Sequence, residues 1–317
     1  MKNKIYFEFS FLIVLGALTS LSLPPYNFLF INFITFSLFF IYIYQKKKLA
    51  NKIQAFFYGW FFGFGYFLSN LYWIIISLTF DENFKFLIPV ALILIPAFLA
   101  IFYGLAIYCL FLFNISKPVS NLLLFSLLIG VIEYLRGIIL TGFPWNLIVY
   151  SFSNIPEIVQ ITSFIGTYAL NVLCITFFTS PAIFILRKNR KEIAICIFFL
   201  LSPIILYFVG SSKIKTFQSL KLIQNDYVIR AIGSNISLDR FYGNIDTTSV
   251  IEELINLSDP NFDIPTIFIW PEGIIPNINQ SQFKDYEFLF NNKFNKNHLL
   301  GIGINSFKIK NNENRFY

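Results

Sequence analysis

Hydrophobic positions form long runs through the first two-thirds of the chain and short periodic clusters after that. A helix needs about 20 consecutive apolar residues to cross a hydrocarbon core. Runs of that order at residues 6–22, 27–45, 54–80, 86–113, 119–140, 160–186 and 192–210 predict seven membrane-spanning helices. Lys2 and Lys4 precede the first run, as they would in a secretory signal. However, Leu23-Pro24-Pro25 is not a small-residue cleavage pattern and a second run follows at once, so the first reads as a retained span. From about residue 217 the period changes. Residues 220–224, 265–270 and 298–305 read as strands, and 247–257 and 281–291 carry apolar side chains at helical spacing. Strand, helix, strand, helix, strand is an α/β order, with helices packed on a sheet.

Charge sharpens the division. The 317 residues are 56% hydrophobic and 13% charged, about half the charge of a typical soluble domain, which is near 25%. Residues 1–210 hold 13 Lys/Arg and 6 Asp/Glu, whereas residues 211–317 hold 11 of each. The positive excess therefore marks membrane loops and gives no reason to invoke nucleic acid. With the N-terminus in the cytoplasm, 11 of those 13 basic residues fall inside and only Lys85 and Arg136 outside. Seven spans then deliver the tail, residues 211–317, to the outer face. Cys109, Cys174 and Cys196 all sit in apolar runs without paired spacing, which suggests neither a disulfide framework nor a metal site. No cofactor is indicated.

Glu272 is the first candidate for chemistry. An apolar strand ends in Trp270, and Pro271 cannot donate to a ladder, so regular pairing stops there. Ligands of open α/β sheets bind at the carboxyl ends of strands. An acid there, shielded by Trp270 and by Ile274-Ile275-Pro276, would have a raised pKa and suit general-base work. On position alone, an ordinary loop glutamate is the plainer reading.

The stretch Ile269-Trp270-Pro271-Glu272-Gly273-Ile274-Ile275-Pro276 resembles bacterial apolipoprotein N-acyltransferases, multispanning membrane enzymes with a nitrilase-like domain. Further segments resemble that family in the same order: Gly59-Trp60-Phe61-Phe62-Gly63-Phe64-Gly65 leading to Leu71-Tyr72-Trp73, then Glu133-Tyr134-Leu135-Arg136-Gly137, Thr141-Gly142-Phe143-Pro144-Trp145-Asn146-Leu147, and Ile165-Gly166-Thr167-Tyr168-Ala169-Leu170-Asn171. The resemblance implies a multispanning α-helical membrane protein (residues 1–210) with a partial α/β nitrilase-like domain (211–317) on the periplasmic side of a bacterial inner membrane. It implies acyl transfer in two steps. A cysteine thiolate takes a fatty acyl chain from a phospholipid, and the thioester passes it to the N-terminal amine of a diacylated lipoprotein.

Of the family's Glu, Lys and Cys, Glu272 matches the glutamate, as general base. The other two have no match. Cysteine is absent after Cys196, none of the three present suits the nucleophile at membrane depth, and Lys293, Lys296, Lys308 and Lys310 lack the expected setting beside a strand. Residues 222–226 match the family only loosely, and its downstream aromatic is at best Phe241 or Tyr242. The expectation is the front part of such an enzyme, with one apolar sheet face uncovered. Such a chain would be inactive alone, and a separately encoded C-terminal fragment is a possible partner.

In the membrane half, Glu133 and Arg136 share a helical face at i,i+3 and could pair or meet a lipid phosphate. Trp73 and Trp145 read either as interfacial belt residues or, by the resemblance, as lining a lipid entrance. His298, the single histidine, reads as a surface or packing residue. Two other classes remain: a transporter, which the scarcity of acids in the spans disfavours, and a non-catalytic split-gene or pseudogene fragment.

Overall fold

The computed structural model describes residues 2–140, 142–220, 226–233, 246–275, 278–304, 306–310 and 313–316, with side chains described between 6 and 306. Thr141, Pro276, Phe241, Tyr242 and most of the strand expected at 220–224 lie outside the described residues. The chain forms two compact units, Met1–Leu220 and Lys221–Tyr317.

The first unit is helical: α1 (Lys2–Ser20), α2 (Ile31–Lys46), α3 (Lys52–Leu71), α4 (Ile88–Leu110), α5 (Pro118–Ile138), short α6 (Pro156–Val159) and α7 (Thr162–Ile165), α8 (Thr167–Thr179), α9 (Ala182–Leu186) and α10 (Arg190–Ser219). Among the described residues, four stretches are long and apolar enough to cross a membrane: Lys52–Thr79, Glu82–Leu110, Pro118–Ile138 and Arg190–Ser219. Tyr6–Ser20 and Thr167–Thr179 are shorter apolar helices.

Local chemistry shapes each of these differently from the continuous runs in the sequence. The third run ends as an α-helix at Leu71 and tightens to 3₁₀ over Tyr72–Thr79. The sixth run is not one helix. Gly166, at φ +78°, turns the chain between α7 and α8, and Pro181 starts α9 anew. The last helix continues through Pro203 to Ser219, so the unit boundary falls ten residues beyond the expected 210.

Within this unit α3 packs against both α1 and α4. Two glycines permit that approach. A methyl group at Gly65 would overlap the Ile13 carbonyl of α1, and one at Gly59 would overlap the Tyr103 carbonyl of α4. Around these contacts lies an aromatic core in which Phe39 and Phe62 stack with centroids 4.0 Å apart and Phe36, Tyr66, Phe67, Tyr103 and Phe125 are buried.

The second unit has a three-stranded parallel sheet in the order β1 (Val228–Ala231), β2 (Thr266–Ile269), β3 (His298–Gly301). A two-stranded antiparallel pair, β4 (Phe307–Lys310) and β5 (Glu313–Phe316), follows. Helix α11 (Thr247–Ser258) starts at Asp246, whose side chain accepts from the Thr248 N–H, and buries Val250, Ile251, Leu254 and Ile255. They meet Phe268, Trp270, Ile274 and Ile275 on one side of the sheet. The segment expected as a second helix is a 3₁₀ turn series, Gln282–Leu289. On the opposite side Ile229, Ile269 and Leu299 are 64%, 46% and 52% exposed, and register sets Ile229, Ile267 and Leu299 in one row. Among the described residues of this unit, this apolar face is open.

Gly59→Val should destabilise the first unit by about 1–3 kcal/mol, the usual cost of overpacking. Ile53→Val, on an exposed position of the same helix, should be silent. Thermal unfolding of the detergent-solubilised chain, followed by tryptophan fluorescence, checks both.

Candidate functional site

Glu272 follows the central strand of the parallel sheet. Trp270 extends the ladder by one bond, its N–H donating to the Gly301 carbonyl at 2.9 Å. Its indole turns into the core, where Nε1 donates to Ser258 Oγ at 2.9 Å under the last turn of α11. Pro271 interrupts the donors, and Gly273, at φ +64°, reconnects by donating to the Gly303 carbonyl at 3.2 Å. Between these anchors Glu272 sits in the turn and is exposed. Gly303 lies so close that a Cβ there would be 2.8 Å from Glu272 Cα.

The shielding expected from Trp270 and Ile274-Ile275 is not found, because all three are buried with α11 instead of standing over the carboxylate. Lys308 and Lys310 fall in β4, outside the parallel sheet that carries Glu272. His298 packs between Phe262, Phe268 and Phe294, and its Nε2 is 2.9 Å from the Asn261 carbonyl. That is the packing role its surroundings allow. Cys109, Cys174 and Cys196 lie on α4, α8 and α10 of the first unit.

In the first unit the i,i+3 spacing on α5 places Glu133 and Arg136 on one face, both fully buried, with Arg136 Nη2 3.9 Å from Glu133 Oε1. Each has other partners. Tyr103 of α4 donates to Glu133 Oε1 at 2.6 Å, and the Asn171 amide of α8 donates to Oε2. Asn171 Oδ1 in turn accepts from the Val149 N–H at 2.9 Å. Arg136 Nη1 donates to the Phe143 carbonyl at 2.6 Å, and the Phe143 N–H donates back to the Arg136 carbonyl at 2.9 Å. The guanidinium carbon lies 5.2 Å from the Phe67 ring centroid and 5.9 Å from that of Phe143.

The same loop carries Trp145, stacked on Trp73 with centroids 5.5 Å apart and both rings about half exposed. Trp73, Trp145, Glu133 and Arg136, which are spread over some 70 positions of sequence, thus belong to one neighbourhood. Tyr66, Tyr103 and Asn171 complete it and were not singled out from the sequence. Their one legible signal is polarity inside apolar runs.

The comparisons decide what this assembly belongs to. The family model for the apolipoprotein N-acyltransferase N-terminal domain matches residues 15–179. The chain belongs to the apolipoprotein N-acyltransferase family. It is 28% identical over 283 residues to an apolipoprotein N-acyltransferase of Brucella melitensis, covering 84% of this chain and 52% of that protein. The enzyme so named in Agrobacterium fabrum is 30% identical over 278 residues, 83% of this chain and 51% of that one. In Rhizobium etli the figures are 36% over 183 residues, 56% and 34%. The chain spans about half the length of the curated relatives it matches, or less.

Glu133→Ala should cost about 3–5 kcal/mol, because it leaves the Arg136 charge buried and uncompensated. Tyr103→Phe, which removes one neutral donor, should cost about 1–3 kcal/mol. Equilibrium unfolding in detergent with a chemical denaturant measures both.

Proposed function

We propose that this chain supplies the membrane unit and the first part of the acyl-transfer domain of a phospholipid–apolipoprotein N-acyltransferase. The observation that carries the reading is a carboxylate at the C-terminal end of the central parallel strand, in a chain of that family. Strand ends of this kind are where open α/β sheets place their chemistry.

In the proposed reaction Glu272 takes the proton of a cysteine thiol as the thiolate attacks a phospholipid ester. It returns that proton to the departing lysophospholipid alkoxide. In the second half-reaction it accepts the proton of the lipoprotein α-amine as the amide forms and the thiolate leaves. The cysteine and its partner lysine come from chain beyond these 317 residues or from a second polypeptide. Trp73, Trp145, Arg136 and Glu133 are the proposed lipid-binding neighbourhood. The basic loops support a cytoplasmic N-terminus and a periplasmic second unit in an inner membrane. A second reading, a remnant without activity, is favoured by the uncovered apolar face of the sheet.

Two experiments separate these readings. Residues 1–317 alone should not restore growth to a strain depleted of the acyltransferase, whereas co-expression with a C-terminal fragment of a relative bearing Lys and Cys should. Growth with residues 1–317 alone would refute the assignment of the nucleophile. In the reconstituted pair, Glu272→Gln should lower acyl-thioester accumulation at least 100-fold, and normal accumulation would remove Glu272 from the role of base.

A further inference from the structure

Two anchors fix the turn that carries Glu272, and both lie on the end of β3 and the chain just after it. The Trp270 N–H donates to the Gly301 carbonyl at 2.9 Å, and the Gly273 N–H to the Gly303 carbonyl at 3.2 Å. The acid between them is exposed. An exposed glutamate keeps much of its rotamer freedom, whereas a general base works within hydrogen-bond reach of one proton. Something other than burial has to set the direction in which this side chain leaves the backbone.

Three glycines border the turn, and they are not equivalent. Gly273 has φ +64° and open space beyond its α-carbon, so its backbone conformation favours glycine. A methyl group at Gly301 would meet the Phe268 carbonyl oxygen at 3.7 Å, an ordinary contact. At Gly303 the backbone is not left-handed, so conformation makes no demand for glycine. Space does. A methyl group there would stand 2.8 Å from Glu272 Cα, 3.1 Å from Cβ and 3.2 Å from Cγ, whereas carbon atoms in contact are normally about 3.5–4.0 Å apart.

Those atoms are successive carbons of one stem, so the Glu272 side chain sets out across the bare α-carbon of Gly303. The nearest of them is backbone, which no change of rotamer withdraws. A side chain at position 303 therefore displaces the turn itself, and with it the hydrogen bond from Gly273 to Gly303.

We infer that Gly303 is a positioning residue for the acyl transfer: its missing side chain seats the stem of Glu272 and so sets where the carboxylate meets the thiol and then the amine. This rests on the reading of Glu272 as general base. Gly303 acts only through Glu272. Misplacing a reacting group by about 1 Å costs on the order of 100-fold in rate, so one methyl group is enough to matter.

The contact is tested first without catalysis, in purified residues 1–317 in detergent, by hydrogen exchange read by mass spectrometry. In Gly303→Ala, residues 270–274 should exchange at least tenfold faster than in the wild type, while α11 stays within twofold. Gly301→Ala should leave both segments within twofold. Unchanged exchange at 270–274 in Gly303→Ala overturns the inference. Should Gly303→Ala loosen α11 as well, the double variant Glu272→Gly/Gly303→Ala decides. With the stem gone α11 should return to within twofold, and persistent loosening overturns the inference.

The role is tested in the pair reconstituted with a C-terminal fragment. Gly303→Ala should lower kcat for thioester formation about 100-fold and leave KM for phospholipid within twofold. In a Glu272→Gln background the same substitution should lower kcat less than threefold, because the group it acts through is already lost. Equal losses in the two backgrounds would mean general damage to the fold and overturn the inference. Full activity of Gly303→Ala beside an inactive Glu272→Gln overturns the inference alone. Full activity of Glu272→Gln removes the base itself, and the positioning role goes with it.

Discussion

A guanidinium shut away from water constrains everything around it. The charge of Arg136 cannot be left alone in a low-dielectric interior, where the desolvation of one ion amounts to several kcal/mol. Glu133, one turn away on the same face, neutralises it at 3.9 Å. That carboxylate must then be solvated in its turn. Tyr103 on α4 and Asn171 on α8 supply its hydrogen bonds, and Asn171 also holds the backbone at Val149. One ion pair on α5 thereby obliges α4, α8 and the segment after residue 139 to meet at a single place.

Tyr103 shows how this polar requirement merges with packing. Its carbonyl lies where α3 comes closest, opposite Gly59, and its side chain faces Gly63. Its ring is 5.6 Å from that of Phe67, which lies against the Arg136 guanidinium. The hydroxyl completes the contact to Glu133. A small-residue approach between α3 and α4 is thus coupled to the solvation of a buried acid on α5. Within a membrane there is little hydrophobic drive for helices to associate, so close packing and interhelical hydrogen bonds carry the specificity. Here the same residue provides both.

The sequence made some of this legible and not the rest, for physical reasons. Long apolar runs located the helices of the first unit, because a membrane span has a minimum length. They did not reveal that residues 160–186 break at Gly166 and Pro181, since hydropathy is indifferent to backbone direction. The pairing of Glu133 with Arg136 followed from helical spacing. Tyr103 and Asn171 did not, because their partners lie 30 and 38 positions away. The strand before Glu272 was readable from its β-branched and aromatic content. The direction of Trp270 was not: its hydrogen bond to Ser258 turns the indole into the core and leaves Glu272 without the shield its neighbours seemed to offer.

That geometry bears on what Glu272 needs. Glu272 stands in an exposed turn. For the proposed general-base role, a less exposed setting would come from groups other than α11 and the described parallel strands. The sheet makes a similar demand. Parallel strands normally lie between two covered faces, yet Ile229, Ile269 and Leu299 remain open on the side away from α11. The acid at the end of β2 and the bare face of β1–β3 are parts of one small sheet. In the proposed enzyme, the chain that brings the nucleophile and the lysine would then also have an apolar surface to pack against.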